Sequence, residues 1–213
     1  MPLGIAIELL AAIPSIVYGM WGFFVLAPIM ASTIEPWLTE TFAWLPMLPS
    51  MDNPLWFWFS DAPVGVGLFT AGVVLAIMIL PFIAAATRDV LLTTPQLLKD
   101  GGYAMGATRW EVLTGIVIPA VRGSLFGAVF LGLGRALGET MAVTFVIGNA
   151  NRVPTSFLSP TTSISAIVAN TFPEADADSL KLASLFALGF VLFVVSFVVL
   201  ALARLLLRQG RMA

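Results

Sequence analysis

Residues 123–149 read GSLFGAVFLGLGRALGETMAVTFVIGN, and this stretch decides the fold. It is long enough to cross a bilayer as a helix, since about 20 predominantly apolar residues suffice. Its only charges are Arg135 and Glu139. An ionised side chain at bilayer depth costs about 3 kcal/mol on insertion scales, so such groups normally face a protein interior or an aqueous path. We therefore expect both side chains to point away from lipid.

Three further stretches are long, apolar and uncharged: 9–34, 64–86 and 182–203. In the bilayer core every backbone polar group must be hydrogen-bonded within the protein, which favours helices. The whole chain has 213 residues, of which 59% are hydrophobic and 10% charged, far more apolar than a soluble domain. The sequence predicts an all-α polytopic membrane helix bundle with four spans, forming one transmembrane domain over residues 1–213.

Composition excludes several classes of function. The chain contains no cysteine and no histidine, which removes disulfides, thiolate and imidazole metal sites, and the usual nucleophile–histidine catalysis. A net charge of -2 without basic runs argues against nucleic acid as a partner. Neither Lys99 nor Lys181 lies in a phosphate-binding loop motif, so this chain is not itself the ATPase. We expect no catalytic residues, no metal and no cofactor.

Charge asymmetry sets the expected topology. The loop between the second and third spans holds Arg88, Lys99, Arg109 and Arg122, and the tail after the fourth span holds Arg204, Arg208 and Arg211. The positive-inside rule then predicts that the loop 87–121, the tail and both termini are cytoplasmic. The loop 35–63 has four acids and no basic residue, with tryptophans typical of a membrane interface, and is predicted to be external. Those tryptophans are Trp37, Trp44, Trp56 and Trp58.

The second external loop, 150–181, is acidic just before the fourth span. Asp176 and Asp178 form an Asp-x-Asp pair, which some metal-dependent glycosyltransferases use, so a membrane-embedded transferase is one alternative function. Two acids at the start of a helix are also favoured by the helix dipole, and we prefer that interpretation.

The cytoplasmic loop carries strong helix signals. Thr94 followed by Pro95 is a helix start, and a helix from there is predicted to end near Gly101, Gly102 or Gly106. A second helix is predicted to begin at Thr108, where Thr-Arg-Trp-Glu matches a capping box. Two short helices held between spans are suited to contact the membrane surface or a soluble partner.

This loop resembles the EAA loop of ABC importer permeases. The spacing of that motif is kept, although aspartate replaces its glutamate and two glycines replace its alanines. The matching residues are Asp100, Gly101, Gly102, Gly106, Ile116 and Pro119. The resemblance implies that the loop couples to a cytoplasmic ATPase subunit. Two glycines inside a helix cost about 1 kcal/mol each relative to alanine, so the first coupling helix is expected to be loose.

Arg135 and Glu139 admit two interpretations. Residues four apart on a helix share one face, so the two could neutralise each other as a salt bridge. Alternatively, the planar guanidinium of Arg135 binds a phosphate oxyanion through two donors, and Glu139 holds it in place or accepts a proton. Small residues four apart, Gly123 and Gly127, then Gly134 and Gly138, predict close helix packing around them.

The stretches 134–149 and 11–19 closely resemble the permease subunits of phosphate ABC importers, and Met-Ala-Val-Thr at 141–144 favours one of the two sister permeases of that machine. The resemblance implies a phosphate permease of the bacterial inner membrane, with Arg135, Glu139 and Thr140 in the substrate pathway. It further implies a sister permease, two copies of a cytoplasmic ATPase and an external phosphate-binding protein, beside membrane lipid.

One departure from the family concerns length. Family members have additional spans before the segment that begins at Glu8, so we expect the chain to be a shortened form. Two alternatives to a phosphate permease remain. One is a permease for another oxyanion, such as sulfate or molybdate, and the other is a truncated form that does not transport.

Overall fold

The computed structural model describes residues 2–44, 59, 61–176 and 179–209. We number its helices α1 to α8 in chain order. Their bounds are Pro2–Ala11, 15–44, Leu68–Leu92, Gln96–Ala104, Arg109–Leu137, Met141–Val146, Ile164–Thr171 and Leu180–Gln209. A 3-10 turn, Phe172–Glu174, extends α7. Within these residues, strand-like pairing is limited to one bridge between Gly148 and Thr161.

Four of these helices are long and apolar enough to cross a membrane. They are Ser15–Thr41 within α2, Leu68–Leu92, Arg109–Leu137 and Leu180–Leu205 within α8. The predicted all-α bundle with four spans is therefore confirmed. The predicted bounds are less accurate, and the first and third spans differ most.

The first span was predicted over 9–34, and the structure breaks it. α1 ends at Ala11, and Pro14, with φ -58° and ψ 138°, precedes a new helix that starts at Ser15. Because proline has no N–H and disfavours helix at the residue before it, the two helices do not merge. At the other end α2 continues through 35–44, so Glu35 and Trp37 are helical, in contrast to the predicted loop. Trp56 and Trp58 lie outside the described residues.

The third span was predicted over 123–149 and is also interrupted. α5 ends at Leu137, residues 138–140 are not helical, and the short α6 follows. α5 begins earlier than predicted, at Arg109, because the helix capped by Thr108 runs without a break into the span. The residues on both sides of the interruption are apolar, so the predicted span ran across Gly138, Glu139 and Thr140.

Three π-helical turns widen α2 and α5: Gly22–Leu26, Met30–Ile34 and Leu113–Val117. Each is followed two residues later by a proline: Pro28, Pro36 and Pro119. A proline within a helix lacks one hydrogen bond and its ring clashes with the carbonyl four residues earlier, which here lies at the middle of each π turn. The wider turn relieves that clash, and both helices continue past their prolines.

The chain packs as two compact units. The first unit comprises residues 1–12, 79–137 and 195–213. In it α5 approaches α3 closely at Gly132, where an added Cβ would lie 2.6 Å from Ile83 Cγ1. Gly134 makes an ordinary contact with Leu200, and no described atom lies near Gly123 or Gly127. The glycine required for close packing is thus Gly132, which the predicted pairs did not include.

The second unit comprises residues 13–78 and 138–194. In it α2 packs directly on α6, since an added Cβ at Gly19 would lie 2.8 Å from the Cα of Ala142. Gly22 is similarly close to Val74 and Val146, which are buried. Because Gly19 and Gly22 have no side chains, the backbone of α6 can approach α2 closely.

The loop 147–163 covers the first turn of α3 within the second unit. Backbone N–H groups at 68 and 69, which have no partner inside their own helix, donate to the carbonyls of Ser159 (3.3 Å) and Phe157 (2.8 Å). The N–H of Gly67 donates to the carbonyl of Val146 at 3.0 Å. The start of α3 is thereby satisfied by backbone groups about 80 to 90 residues later in the chain.

Candidate functional site

The interruption after α5 is organised around Glu139, which is only 9% exposed. Its Oε1 atom accepts a hydrogen bond from the backbone N–H of Ala142 at 3.3 Å, in the first turn of α6. The carboxylate thus satisfies one of the unpaired N–H groups at that helix start and complements its partial positive charge. The chain turns at this point because the side chain of Glu139 replaces the helical partner of Ala142.

Two serines support the backbone at this interruption. Ser165 is buried, and its hydroxyl donates to the carbonyl of Glu139 at 2.8 Å. Ser163 caps α7 by accepting from the N–H of Ala166 at 3.1 Å, and its hydroxyl lies 3.1 Å from that of Ser165. The start of α7 therefore fixes the backbone at Glu139. These serines are functional candidates that the sequence analysis missed, since nothing in their spacing links them to residue 139.

Thr140 lies directly before α6. Its carbonyl accepts hydrogen bonds from both the N–H and the hydroxyl of Thr144, at 2.9 and 2.8 Å. Its side chain makes no capping hydrogen bond to α6. The half-buried hydroxyl of Thr140 is therefore not used to hold the helix.

Arg135 belongs to the first unit and lies in the last turn of α5. Its side chain is exposed, and the guanidinium carbon lies 5.6 Å from the centroid of the Phe82 ring on α3, a cation–π contact. A positive charge is favourable at a helix C-terminus. The contact uses one face of the planar guanidinium and leaves N–H donors along its edge for an anion.

Arg135 and Glu139 do not lie on one helix, in contrast to the interpretation that pairs them as a salt bridge. Four-residue spacing brings two side chains onto one face only when both residues are helical. α5 ends at Leu137, so Glu139 lies beyond the helix that carries Arg135. The interpretation as a self-neutralised helical pair loses its basis.

A second buried carboxylate, Glu35, was missed because it was assigned to a loop. The side chain is fully buried; its Oε2 accepts from the N–H of Gly65 at 2.8 Å and its Oε1 from the hydroxyl of Thr70 at 3.3 Å. Gly65 has φ +75°, and an added Cβ there would lie 2.1 Å from the carbonyl oxygen of Ala27. Glu35 thus ties the segment before α3 to α2, and the available signal was an acid continuing an apolar helical run.

The loop that was predicted to couple to an ATPase contains two helices, as expected. α4 begins one residue later than predicted, since Pro95 is its N-cap. Asp100, Gly101 and Gly102 lie within it. Its end is a Schellman motif: the N–H of Ala107 donates to the carbonyl of Gly102 (3.2 Å), and that of Gly106 to the carbonyl of Tyr103 (3.0 Å).

Gly106 supplies the left-handed residue that this motif needs, with φ +81°. The capping box at the next helix is confirmed: the N–H of Thr108 donates to Glu111 Oε2 at 2.7 Å, and the N–H of Glu111 donates to Thr108 Oγ1 at 3.4 Å. The two helices are therefore separated by one ordered turn.

Gly102 is where α4 packs on α5. An added Cβ there would lie 2.6 Å from Ile116 Cδ1 and 2.9 Å from Val112 Cγ2, whereas nothing described lies within 4 Å of the same position at Gly101. The glycine at 102 therefore permits contact between the helices. Ile116 lies in the π turn of α5, and Pro119 follows that turn.

The same loop exposes large apolar side chains: Leu97, Leu98, Tyr103, Met105 and Trp110. We call this set the loop apolar face. Such a concentration on a short exposed segment indicates a surface that contacts another protein or the membrane.

The acids before α8 do not form a metal site in the described part of the chain. Among the described residues there is no group of three or more potential ligands of the His, Cys, Asp or Glu type. Asp176 is described, whereas Asp178 lies outside the described residues. The transferase alternative gains no support.

Four apolar helices, long enough to cross a membrane, define a polytopic membrane protein. The model of the family described as binding-protein-dependent transport system inner membrane component matches residues 2–211, and the chain belongs to this family.

Relatives carry the name phosphate transport system permease protein PstC. The chain is 52% identical over 208 residues to that of Mesorhizobium japonicum, covering 98% of the chain and 61% of the relative. It is 52% identical to that of Pasteurella multocida, with 98% and 62% covered. A probable PstC of Methanocaldococcus jannaschii is 36% identical, with 93% and 59% covered. The chain thus spans about three fifths of these relatives' length. No solved structure matches it significantly.

Proposed function

We propose that the chain is the permease subunit of an ATP-driven importer that translocates inorganic phosphate across the inner (plasma) membrane. Membership of the transport family and the names of the relatives support this function. The observation that carries it within the chain is Arg135, an exposed guanidinium at the end of an apolar span. In this proposal residues 1–213 belong to one permease domain, and ATP hydrolysis belongs to a separate subunit.

Arg135 binds the phosphate oxyanion in this proposal. Its guanidinium remains charged at every physiological pH and offers parallel donors that match two phosphate oxygens. Phe82, 5.6 Å away, limits the orientations of the guanidinium plane without competing for its edge donors. Binding therefore does not require the side chain to be ordered from a free state.

Glu139 and Thr140 complete the pathway. One carboxylate oxygen of Glu139 is occupied by the N–H of Ala142, and the other is available to accept the proton of a protonated phosphate. The hydroxyl of Thr140 is available to donate to a phosphate oxygen. In the sequence, a permanent cation, a carboxylate and a hydroxyl lie within six residues of one another, and this combination suits a partly protonated tetrahedral anion.

Phosphate uptake tests this assignment. Vesicles containing the chain with its sister permease, ATPase and binding protein are supplied with ATP and labelled phosphate. Arg135→Gln should lower uptake about tenfold or more, the scale of one lost charge-assisted hydrogen bond. Arg135→Lys should retain part of it, and Arg152→Gln is the control for loss of an exposed arginine elsewhere. Normal uptake by Arg135→Gln, with normal insertion, would show that the assignment is wrong.

Anion competition separates phosphate from other oxyanions. One arginine does not distinguish among tetrahedral anions, but a proton acceptor at Glu139 favours an anion that is protonated near neutral pH, as phosphate is. Excess unlabelled phosphate should suppress uptake, and sulfate or molybdate should not. If sulfate suppresses uptake both in the unmodified chain and in Glu139→Gln, the result would instead support sulfate as the substrate.

The loop apolar face docks on the ATPase in this proposal, with two ATPase copies serving this chain and its sister permease. Leu97, Met105 and Trp110 are exposed on helices whose turn is fixed by a Schellman motif and a capping box. Trp110→Ala should reduce co-purification of the ATPase, whereas Val153→Ala, a matched exposed residue outside this loop, should not. Equal co-purification for both variants would contradict the docking assignment.

The orientation of the chain in the membrane follows from the arginine and lysine residues of the loop 87–121 and the arginines of the C-terminal tail. We assign both to the cytoplasm, with the loop 150–181 outside, where an external phosphate-binding protein delivers substrate. The chain has no native cysteine, so single variants are clean reporters. In intact cells a membrane-impermeant thiol reagent should label Val153→Cys and spare Met105→Cys. The reverse pattern would invert the topology.

A further inference from the structure

A basic cavity lies in the first unit, where α3 ends and α5 begins. Its volume is about 530 Å³, and its walls come from the last turns of α3, from α4 and from the first two turns of α5. Three cations line it: Arg88, Lys99 and Arg109. None of the described residues that line it is acidic.

The charge of this cavity is only partly compensated. Arg88 forms an ion pair with Glu8 of α1, which also brings α1 against the end of α3. Within the part of the chain that the structure describes, neither Lys99 nor Arg109 forms an ion pair or a side-chain hydrogen bond. The cavity therefore retains about two positive charges that call for an anionic ligand.

Apart from the hydroxyl groups of Thr87 and Tyr103, the rest of the wall is apolar. Leu91 and Leu92 contribute from α3, and Leu113 and Val117 from the π turn of α5. A small hydrated anion would gain nothing from these side chains and would have to shed water beside them. An amphiphile with an anionic head and hydrocarbon chains satisfies both the cations and the apolar wall.

The cavity also lies at the ends of two candidate spans. α3 and α5 are both long enough to span, and the cavity is formed where one ends and the other starts. Because two successive spans are joined on one side of a membrane, we expect the cavity at the level of one membrane surface. Basic pockets between spans at this level are suited to anionic head groups. We propose that this cavity binds an anionic phospholipid, with Lys99 and Arg109 on its phosphate and the leucines along its acyl chains.

The site is distinct from the substrate pathway assigned to Arg135, and it does not depend on phosphate transport. It shares the loop between α3 and α5 with the loop apolar face, so bound lipid would brace α4 against α3. We assign the loop apolar face to a protein partner and the cavity between the helices to a lipid from the bilayer.

Native mass spectrometry of the purified chain tests the proposal. Phosphatidylglycerol should bind with one tight equivalent, and phosphatidylcholine of the same acyl chains should not. Lys99→Gln with Arg109→Gln should weaken binding about 30-fold, at about fivefold for each cation removed. Lys181→Gln with Arg152→Gln, which removes the same charge elsewhere, should leave it unchanged.

The two possible sources of phosphate are separated in the same experiment. Inorganic phosphate that binds the cavity cations as tightly as phosphatidylglycerol would overturn the lipid assignment. Equal binding of phosphatidylglycerol and phosphatidylcholine would also overturn the lipid assignment. So would equal weakening in the cavity double variant and in the control double variant, because binding would then reflect general attraction to surface charge.

A measurement on the unmodified chain guards against a variant that fails to fold. Phosphatidylglycerol with a photoactivatable group on its acyl chain should cross-link to peptides from 84–92 and 109–117. Cross-links spread evenly along the exposed face of α8 would contradict a defined site.

Discussion

Replacing Gly102 with alanine should disturb the packing of α4 on α5, whereas the same replacement at Gly101 should stabilise α4. Both residues lie in one helix and neither has a positive φ, so their helix propensities are the same. Replacing a glycine in a helix by alanine is favourable by about 1 kcal/mol. The two variants therefore differ only in what the new methyl group contacts.

At Gly101 the methyl group meets no described atom within 4 Å, so the gain of about 1 kcal/mol remains. At Gly102 it would lie 2.6 Å from Ile116 Cδ1 and 2.9 Å from Val112 Cγ2. Ile116 can turn its terminal methyl aside, but Val112 is branched at Cβ and buried, and overpacking of this kind costs about 1–3 kcal/mol. The net effect at Gly102 is a loss of up to about 2 kcal/mol.

Hydrogen exchange of the α4 amides measures this difference directly. Protection should rise about fivefold in Gly101→Ala and fall by up to about 30-fold in Gly102→Ala, because local opening free energies convert to exchange rates. The two variants serve as each other's controls, since composition and propensity are identical. Equal protection, or greater protection in Gly102→Ala, would refute the packing of Gly102 against α5.

Three further perturbations have defined outcomes. Thr108→Ala should destabilise the start of α5 by about 1 kcal/mol in thermal unfolding, while Thr114→Ala, which loses only a hydrogen bond within the helix, should have less effect, and equal effects would contradict the capping box. Glu35→Ala should cost about 1–3 kcal/mol for each buried donor left unpaired, with Glu35→Gln losing less, and an unchanged melting temperature would contradict the link to the segment before α3. Gly106→Ala, at φ +81°, should cost about 1–2 kcal/mol and lower α4 protection; no change would contradict the Schellman end.

Much of the architecture was readable from the sequence because the relevant physics is local or compositional. Four apolar stretches of sufficient length predicted four spans, since lipid requires internally hydrogen-bonded helices. The capping box at Thr108 was found because capping depends on residues a few positions apart, and Gly106 was one of three glycines named for the end of α4. Arg135 and Glu139 were named from their charge in an apolar stretch, and Thr140 from the family resemblance alone.

The local environment of those residues was not readable in the same way. The sequence places Arg135 and Glu139 in one predicted span, but the helix ends between them, and Ser165 donates to the carbonyl of Glu139 from 26 positions later. Phe82, which orients Arg135, lies on another helix. Side chains from distant parts of the chain determine both environments, and periodicity carries no information about them.

The sequence alone determined that this is a four-span helical membrane protein with two charges in one of its apolar stretches and a two-helix loop, because hydrophobic length and capping are properties of neighbouring residues. Only the tertiary structure decided that α5 stops at Leu137, that Glu35 is buried and that Gly102 is a contact. A helix end depends on the groups that satisfy its terminal N–H and carbonyl groups. At the start of α3 those groups are carbonyls about 80 to 90 residues later in the chain, and the carbonyl of Glu139 is bound by Ser165.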